Sequence, residues 1–364
     1  MEKDSMLYIM HIDWDWIKQR PHFLAEEFSE VYDITVLYPI SRNKKKLKKN
    51  NRDIIEPKFF LKLPFRRKSK ILYKLNNFLL LMYVRRIIKI KKPNYIWISH
   101  PEIYNYIPVT YEGEIIYDCM DDNIYLEENK KFQNELAILE NNLIRKSDKI
   151  FVTSENLKQK ILNRYKENED KIYLSRNAFN GKIKGKKDHE EIEFQYNKRI
   201  KICYIGTISS WFDIDVIQYS IEKNKNIEFH IIGPIDIDEN ELRHENIKLY
   251  HSIEHSLLEK YVEEMDILIM NFKLNEIIMS VDPVKLYEYI NFNKPIISIR
   301  YPEIERFEKF VYFYNTKEEF YENINIALNN MKYTNTERLK FLKMNTWKER
   351  AQNIIKILDK KEKL

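Results

Sequence analysis

Two short β-branched runs, Asp266 to Phe272 and Ile296 to Ile299, flank a segment in which Val284, Tyr287, Tyr289 and Ile290 recur at helical spacing behind Pro283. That is strand, loop, helix, strand. In such a unit the helix N-terminus sits at the carboxyl edge of a parallel sheet, which is where ligands of this class of fold bind. The same alternation runs through the chain. Apolar runs fall at Leu7 to Ile12, Ile34 to Tyr38, Tyr95 to Ser99, Ile115 to Tyr117, Lys149 to Thr153, Phe229 to Ile232, Ile247 to Tyr250 and Phe310 to Tyr314, with amphipathic segments such as Asn134 to Ile144 between them. The expected class is α/β, built from Rossmann-like units.

The stretch Ser280 to Pro295 also carries chemistry. Lys285, in the first turn of its helix, could neutralise a phosphate, and Glu288, one turn on, could accept hydrogen bonds from a pair of hydroxyls. A cation and a carboxylate so arranged suit a sugar nucleotide. The ordinary alternative is a charged pair on a helix surface.

The segment P-V-K-L-Y-E-Y-I-N-F-N-K-P resembles the P-x-K-x-x-E-Y-x-x-x-G-K-P-[VI]-[VI] element of group 1, family 4-like glycosyltransferases of the GT-B architecture, among them enzymes of teichuronic acid and capsular polysaccharide synthesis. The resemblance implies two Rossmann-like domains with parallel sheets facing across a cleft. It implies a donor site in which Glu288 holds the ribose and Lys285 serves the diphosphate, with Gly206, Pro283 and Tyr287 around them. Two departures stand out: Ser280 replaces a glutamate that many retaining members carry, and Asn293 replaces the usual glycine, a mild change because Asn tolerates a left-handed C-cap.

Other segments extend the likeness. W-D-W-I-K-Q-R-P-H-F-L-A near the start, Y-D-C-M-D-D-N after Ile116, S-D-K-I-F-V-T-S-E-N-L, Y-I-G-T-I-S-S-W-F-D and the terminal W-x-x-R element resemble the same group in the same order. Asp121 or Asp122, just past a strand end, could deprotonate an acceptor hydroxyl; either Asp118 or Asp122 could instead cap a helix. Arg20 is a candidate for an acceptor phosphate or the donor diphosphate, or for a pair with Asp13 or Asp15. Trp16 could stack on a sugar, although a core role for at least one of Trp14 and Trp16 is expected. His100, at a strand end, joins the acceptor set.

A chain of 364 residues suits two domains. The expected division is 1–180 for the acceptor, 181–345 for the nucleotide-sugar donor, and 346–364 as a terminal helix crossing back to the first domain. The glycine- and charge-rich piece G-K-I-K-G-K-K-D-H-E-E reads as the linker. Cys119 and Cys203 read as buried, reduced thiols, which suits a cytoplasmic protein. With five glycines in all there is neither G-x-G-x-x-G nor a P-loop, which argues against a dinucleotide oxidoreductase or a kinase. No cluster has metal-ligand spacing, so no metal and no cofactor are expected; the nucleotide sugar is a substrate.

The net charge of +6 hides an asymmetry, because Ser41 to Lys92 carries 19 Lys or Arg against Asp53 and Glu56 while the remaining 312 residues sum to −11. The basic blocks surround the apolar stretch Ile71 to Val84. A helix of that kind suits an anionic membrane surface, and the alternative is a core helix beside a solvated loop. Nucleic acid is not expected, since no recognition motif accompanies the charge. No run reaches the length of a membrane span. The resulting expectation is a cytoplasmic enzyme, peripheral on the inner face of the plasma membrane, that moves a sugar from a nucleotide donor, UDP-linked by preference, to a surface glycan or polyprenol-linked acceptor. A nucleotide-sugar epimerase and an inactive sugar-nucleotide-binding subunit are the alternatives.

Overall fold

The computed structural model describes residues 3–40, 55–165, 169–185, 199–251, 253 and 255–360. Among them the chain forms two compact units, Met1–Asn177 with Trp347–Leu364, and Ala178–Thr346. The distal part of the glycine- and charge-rich linker, from residue 186, and the lysines of K-K-K-L-K-K lie outside the described residues.

The first unit runs β1 (Ser5–Ile9), α1 (Arg20–Ser29), β2 (Asp33–Pro39), β3 (Lys58–Phe60), α2 (Lys70–Lys91), β4 (Tyr95–Ile98), β5 (Glu114–Cys119), α3 (Lys130–Lys146), β6 (Lys149–Val152), α4 (Glu155–Tyr165) and β7 (Ile172–Leu174). Its seven strands are all parallel, in the order β3-β2-β1-β4-β5-β6-β7. The second runs β8 (Ile200–Ile205), α5 (Ile214–Lys223), β9 (Ile227–Ile232), β10 (Ile247–Tyr250), α6 (His255–Glu263), β11 (Ile267–Met270), α7 (Val284–Phe292), β12 (Ile296–Ile299), β13 (Val311–Tyr314), α8 (Lys317–Asn329) and α9 (Asn335–Met344). Its six parallel strands are ordered β10-β9-β8-β11-β12-β13. A final helix, α10 (Trp347–Leu358), packs on α1, with Trp347 stacked on Phe23 at 5.2 Å.

Both sheets have helices covering their faces, so the central strands are buried throughout; β4, β9, β11 and β12 expose no residue. Each sheet reverses strand order once, between β1 and β4 in the first unit and between β8 and β11 in the second. The loops leaving those strands diverge to opposite faces and open a crevice at the carboxyl edge.

The predicted runs coincide with β strands apart from residues at their ends. β1 ends at Ile9, so His11 and Ile12 leave the sheet and belong to the loop. β3 and β7, three residues each at the sheet's two edges, carry too little pattern to stand out. Asn293 closes α7 in the left-handed region at φ 59, as its replacement of glycine requires. Cys119 and Cys203 are both buried free thiols, and burial raises both above the ordinary thiol value.

Candidate active site

In the second unit the crevice is built around Gly206, which ends β8 at φ 148, a conformation that disfavours any side chain. Gly233, at the end of β9, lies so close that a Cβ there would come 2.1 Å from the Gly206 carbonyl oxygen. A Cβ on Gly206 itself would come 1.9 Å from the Lys285 Nζ. The lysine thus lies directly on the glycine backbone. Its ammonium donates to the Tyr204 hydroxyl at 2.9 Å and sits 4.5 Å from the centre of the Tyr204 ring and 5.3 Å from that of Phe272. Among the described residues no carboxylate forms an ion pair with it. A cation held by aromatic faces and a neutral hydroxyl keeps its attraction for an incoming anion, which a salt bridge would have cancelled.

The sequence explains why Lys285 arrives there. Tyr289, one turn further along α7, is buried; its hydroxyl accepts from the Ile205 amide at 2.9 Å and donates towards the Ile269 carbonyl at 3.3 Å. It therefore pins the helix between the ends of β8 and β11 at their point of divergence. The approach to α7 is fixed by Asp282, which is buried and paired with Arg306, and by the Tyr301 hydroxyl on the Val281 carbonyl. Pro283 is the N-cap residue, buried, and supplies the turn into the helix. Glu288 lies one turn beyond Lys285 and is half-buried. Tyr287 does not line this crevice: it is fully buried, it packs on Phe307 and Phe341, and its hydroxyl accepts from Arg306 at 2.9 Å. Its assignment as a donor contact is corrected to the core, because its place on α7 turns it away from the sheet edge.

In the first unit the carboxyl edge gathers residues from three adjacent strands: His11 after β1, Ser99 and His100 after β4, and Asp121 after β5. His11 Nδ1 lies 2.9 Å from the Ser99 hydroxyl, and the rings of His11 and His100 are 5.2 Å apart. Burial, then the proximity of His100 and Lys62, pushes the His11 imidazole well below its usual value; burial brings His100 down to about 4. Both rings are neutral near pH 7 and offer hydrogen bonds rather than charge. Beneath them Glu102 is buried and binds Lys62 and Arg66; burial alone would raise its carboxyl, but the two cations hold it at about 2. His11, Lys62 and Glu102 were not foreseen, since nothing in their spacing distinguishes them from solvated residues.

The two carboxylates offered as bases differ. Asp122 is buried, bonded to Arg164, 3.6 Å from Lys160, and accepts from the Tyr125 amide at 3.2 Å. Burial works against its ionised form, yet the Arg164 hydrogen bonds and charge draw its carboxyl below the usual range. Such a carboxylate is a weak base and a structural anchor, so its catalytic assignment is corrected; it caps the turn. Asp121 is exposed and is raised by desolvation in its crowded setting and by Asp118 and Asp122, with Arg20 opposing. Arg20 is likewise corrected. It is buried, paired in bidentate fashion with Asp118, and bonded to the Ser175 carbonyl at 2.8 Å and the Arg176 carbonyl at 3.2 Å. Its donors close the strand ends and are not offered to a phosphate. Trp14 is fully buried, whereas Trp16 is half-buried in the loop between β1 and α1.

No family model matches the chain. The TuaH protein of Bacillus subtilis (strain 168), named for a glycosyltransferase of teichuronic acid biosynthesis, is 23% identical over 218 residues, which is 55% of this chain and 54% of TuaH. The chain thus spans about half the length of that curated relative. The structure of Anabaena HepE in complex with UDP superposes with a TM-score of 0.71 at 10% identity, covering 97% of this chain and 99% of the other. The apo lipopolysaccharide outer core galactosyltransferase WaaB gives 0.68 at 12% identity with the same coverage. A UDP-N-acetylglucosamine 2-epimerase is less similar, at 0.53 and 11% identity over 98% of this chain and 96% of its own. The matches agree on a two-domain α/β architecture with two parallel sheets.

Proposed function

We propose that this chain, whose fold is that of the GT-B glycosyltransferases, transfers a sugar from a UDP-linked donor to a hydroxyl of a cell-envelope glycan or its lipid carrier. The observation that carries the reading is Lys285, lying on Gly206 at the divergence of β8 and β11 with no carboxylate partner among the described residues. A diphosphate there would meet one full positive charge and the N-terminal amides of α7, and Glu288 one turn on would accept the ribose hydroxyls.

In the reaction the acceptor oxygen forms a bond to the anomeric carbon as the bond from that carbon to the diphosphate oxygen breaks. Asp121, at the surface and with its carboxyl raised from its ordinary value by desolvation, takes the acceptor proton. Lys285 and the helix N-terminus offset the negative charge that builds on the leaving diphosphate, so the step is proposed to run without a metal. His11, His100 and Trp16 belong to the acceptor side. The likeness to TuaH and WaaB, whose names concern envelope polysaccharides, supports the acceptor class. The likeness to UDP-bound HepE supports the nucleotide. Use of a nucleotide sugar supports a cytoplasmic location; attachment to the inner face of the membrane and capsule or wall polymer as the product are proposed with it.

The test is incubation with UDP-hexoses and UDP-N-acetylhexosamines in the presence of envelope acceptor fractions, following UDP release and product mass. Release of UDP with a glycosylated product, lost in Asp121→Asn, is the expected result. An isomerised nucleotide sugar without UDP release would assign epimerase activity instead, and tight donor binding without turnover would leave a binding subunit.

A further inference from the structure

The helix α2 is apolar on both sides. Its inner face buries Asn76, Leu80, Val84 and Ile87 against the body of the unit, and these four are its only buried side chains in 22 residues. On the opposite side Ile71, Leu75, Phe78 and Met82 recur at intervals of four, three and four, which places them in one stripe. Phe78 and Leu80 illustrate the opposition, being about 200° apart around the axis at roughly 100° per residue. The outer stripe is open to solvent: Ile71 is 79% exposed, Phe78 58%, Met82 49% and Leu75 45%. Leu79 extends it, and Phe65, in the turn that leads into α2, is 69% exposed and held at a φ of 57, where a bulky residue is strained. A contiguous apolar face of this kind marks an interaction surface.

Charge identifies the occupant. Lys70, Lys74, Arg85, Arg86 and Lys89 are exposed along the same helix, and no Asp or Glu occurs anywhere between Glu56 and Glu102. A second copy of the chain using this face would set it against itself, bringing like charges together with no acidic complement. The basic residues with internal partners are others: Lys62 and Arg66 are spent on Glu102, and Arg67 on Glu127. No helix among the described residues is long and apolar enough to cross a membrane. We propose that the outer face of α2 docks on an anionic bilayer, its apolar stripe entering the boundary between headgroups and acyl chains while the flanking Lys and Arg engage lipid phosphates. The mode is that of an interfacial amphipathic helix whose other face is bolted to the protein. The site gives the peripheral attachment in the functional reading a location, rests on that reading only for its purpose, and is measured without substrate.

The experiment is flotation of the full chain with phosphatidylcholine vesicles, with and without phosphatidylglycerol, at low and high salt. The wild type should float with the anionic vesicles at low salt and be released by high salt or by their replacement with phosphatidylcholine alone. Phe78→Ser with Met82→Ser, both exposed and therefore harmless to the core, should weaken partition about tenfold or more. Arg85→Gln with Arg86→Gln should weaken it roughly thirtyfold, from about 1 kcal/mol for each basic residue near the surface. Transfer to a soluble acceptor should be unchanged in the stripe variant, which separates failure of docking from failure of the enzymatic reading. Three results overturn the proposal: no binding of the wild type to anionic vesicles at low salt, equal binding by the folded stripe variant, or sedimentation showing a dimer that the stripe variant dissolves.

Discussion

Replacing Lys285 by alanine removes the side-chain charge placed over the Gly206 backbone. In the free protein the ammonium makes a neutral hydrogen bond with Tyr204 and two contacts with aromatic faces. Those are worth about 1 kcal/mol and about 0.5–1 kcal/mol each, set against the cost of holding a half-buried cation, so the variant should stay folded. In the complex the same group would contact an ionised diphosphate, where a hydrogen bond is worth about 1.5–3 kcal/mol, or roughly ten- to a hundredfold in affinity. Gly206→Ala reaches the same end by another route. The new methyl would fall 1.9 Å from Nζ and 2.2 Å from Cε of Lys285, so the lysine must leave its place. The single variant should therefore lose most of the same binding energy. It should also lose stability, on the order of 1–3 kcal/mol, because alanine is strained at φ 148. In a Lys285→Ala background that strain remains, but the methyl displaces no cation and meets only the Tyr204 hydroxyl at 3.3 Å among its nearest atoms, so Gly206→Ala should have little further effect on binding. Calorimetry with UDP across the four proteins measures the coupling, which should approach the size of the single effect. Unchanged UDP affinity in a folded Lys285→Ala protein, or strict additivity of the two substitutions, would refute the placement of the diphosphate on this lysine.

Glu288→Ala should lose about 1.5–3 kcal/mol of UDP binding while leaving inorganic pyrophosphate unaffected, because only the ribose hydroxyls would use the carboxylate; equal losses for both ligands would place Glu288 elsewhere. Asp122→Asn should lower stability by roughly 1.5–3 kcal/mol in urea titration, since it breaks the pair with Arg164, whereas Asp121→Asn should melt like the wild type; the reverse order would exchange their roles. His22 is fully buried, with Nδ1 accepting from the Gln19 amide at 3.2 Å and Nε2 on the Trp14 carbonyl at 3.2 Å, an arrangement that requires the neutral ring. Burial lowers it to about 4, below its unfolded value of 6.5, so the unfolded chain binds the extra proton and stability is lost as pH falls from about 6.5 to about 4, by up to roughly 3 kcal/mol. His22→Gln should reduce the slope of stability against pH in that window by about one proton, with His11, His100 and His230 among the groups that contribute what remains; an unchanged slope would show that His22 does not titrate there.

The strand runs and the helices between them were legible because buried parallel strands are continuous apolar segments whose pattern survives without any partner being known. The place of Lys285 at a strand end was legible for a similar reason: it depends on a helix start, which is local. What escaped depends on chain reversal. Arg20 could be matched only to neighbouring acids, yet its partner Asp118 is 98 residues away, brought alongside by the carboxyl ends of the sheet. Tyr287 and Tyr289 look alike in sequence, and only the contact of one with the ends of β8 and β11, and of the other with Phe307 and Phe341, tells anchor from core. For α2 the sequence pattern fits both a core helix and a membrane face. The structure shows four residues on one side meeting the core and an exposed apolar stripe on the other, which is what the membrane proposal rests on.

The scarcity of glycine bears on how the proposed site would bind phosphate at all. A glycine-rich loop cradles phosphates with successive backbone amides, which demands several positions free of side chains. Of the five glycines here, Gly206 and Gly233 are spent at neighbouring strand ends, each clearing room for backbone or for the lysine, and none remains to form a nest beside them. The attraction must then come from a side chain, and a side-chain cation is useful only if it is kept from a carboxylate and kept in place. Tyr204 and Phe272 do both: their faces favour a cation without neutralising it, and the Tyr204 hydroxyl, which itself donates to the Thr207 carbonyl at 2.9 Å, fixes the direction of the ammonium. Tyr204→Phe should accordingly leave the charge in place but loosen its aim, weakening UDP binding by less than Lys285→Ala does. A loss as large as that of Lys285→Ala would mean that the tyrosine hydroxyl, and not the lysine, meets the ligand.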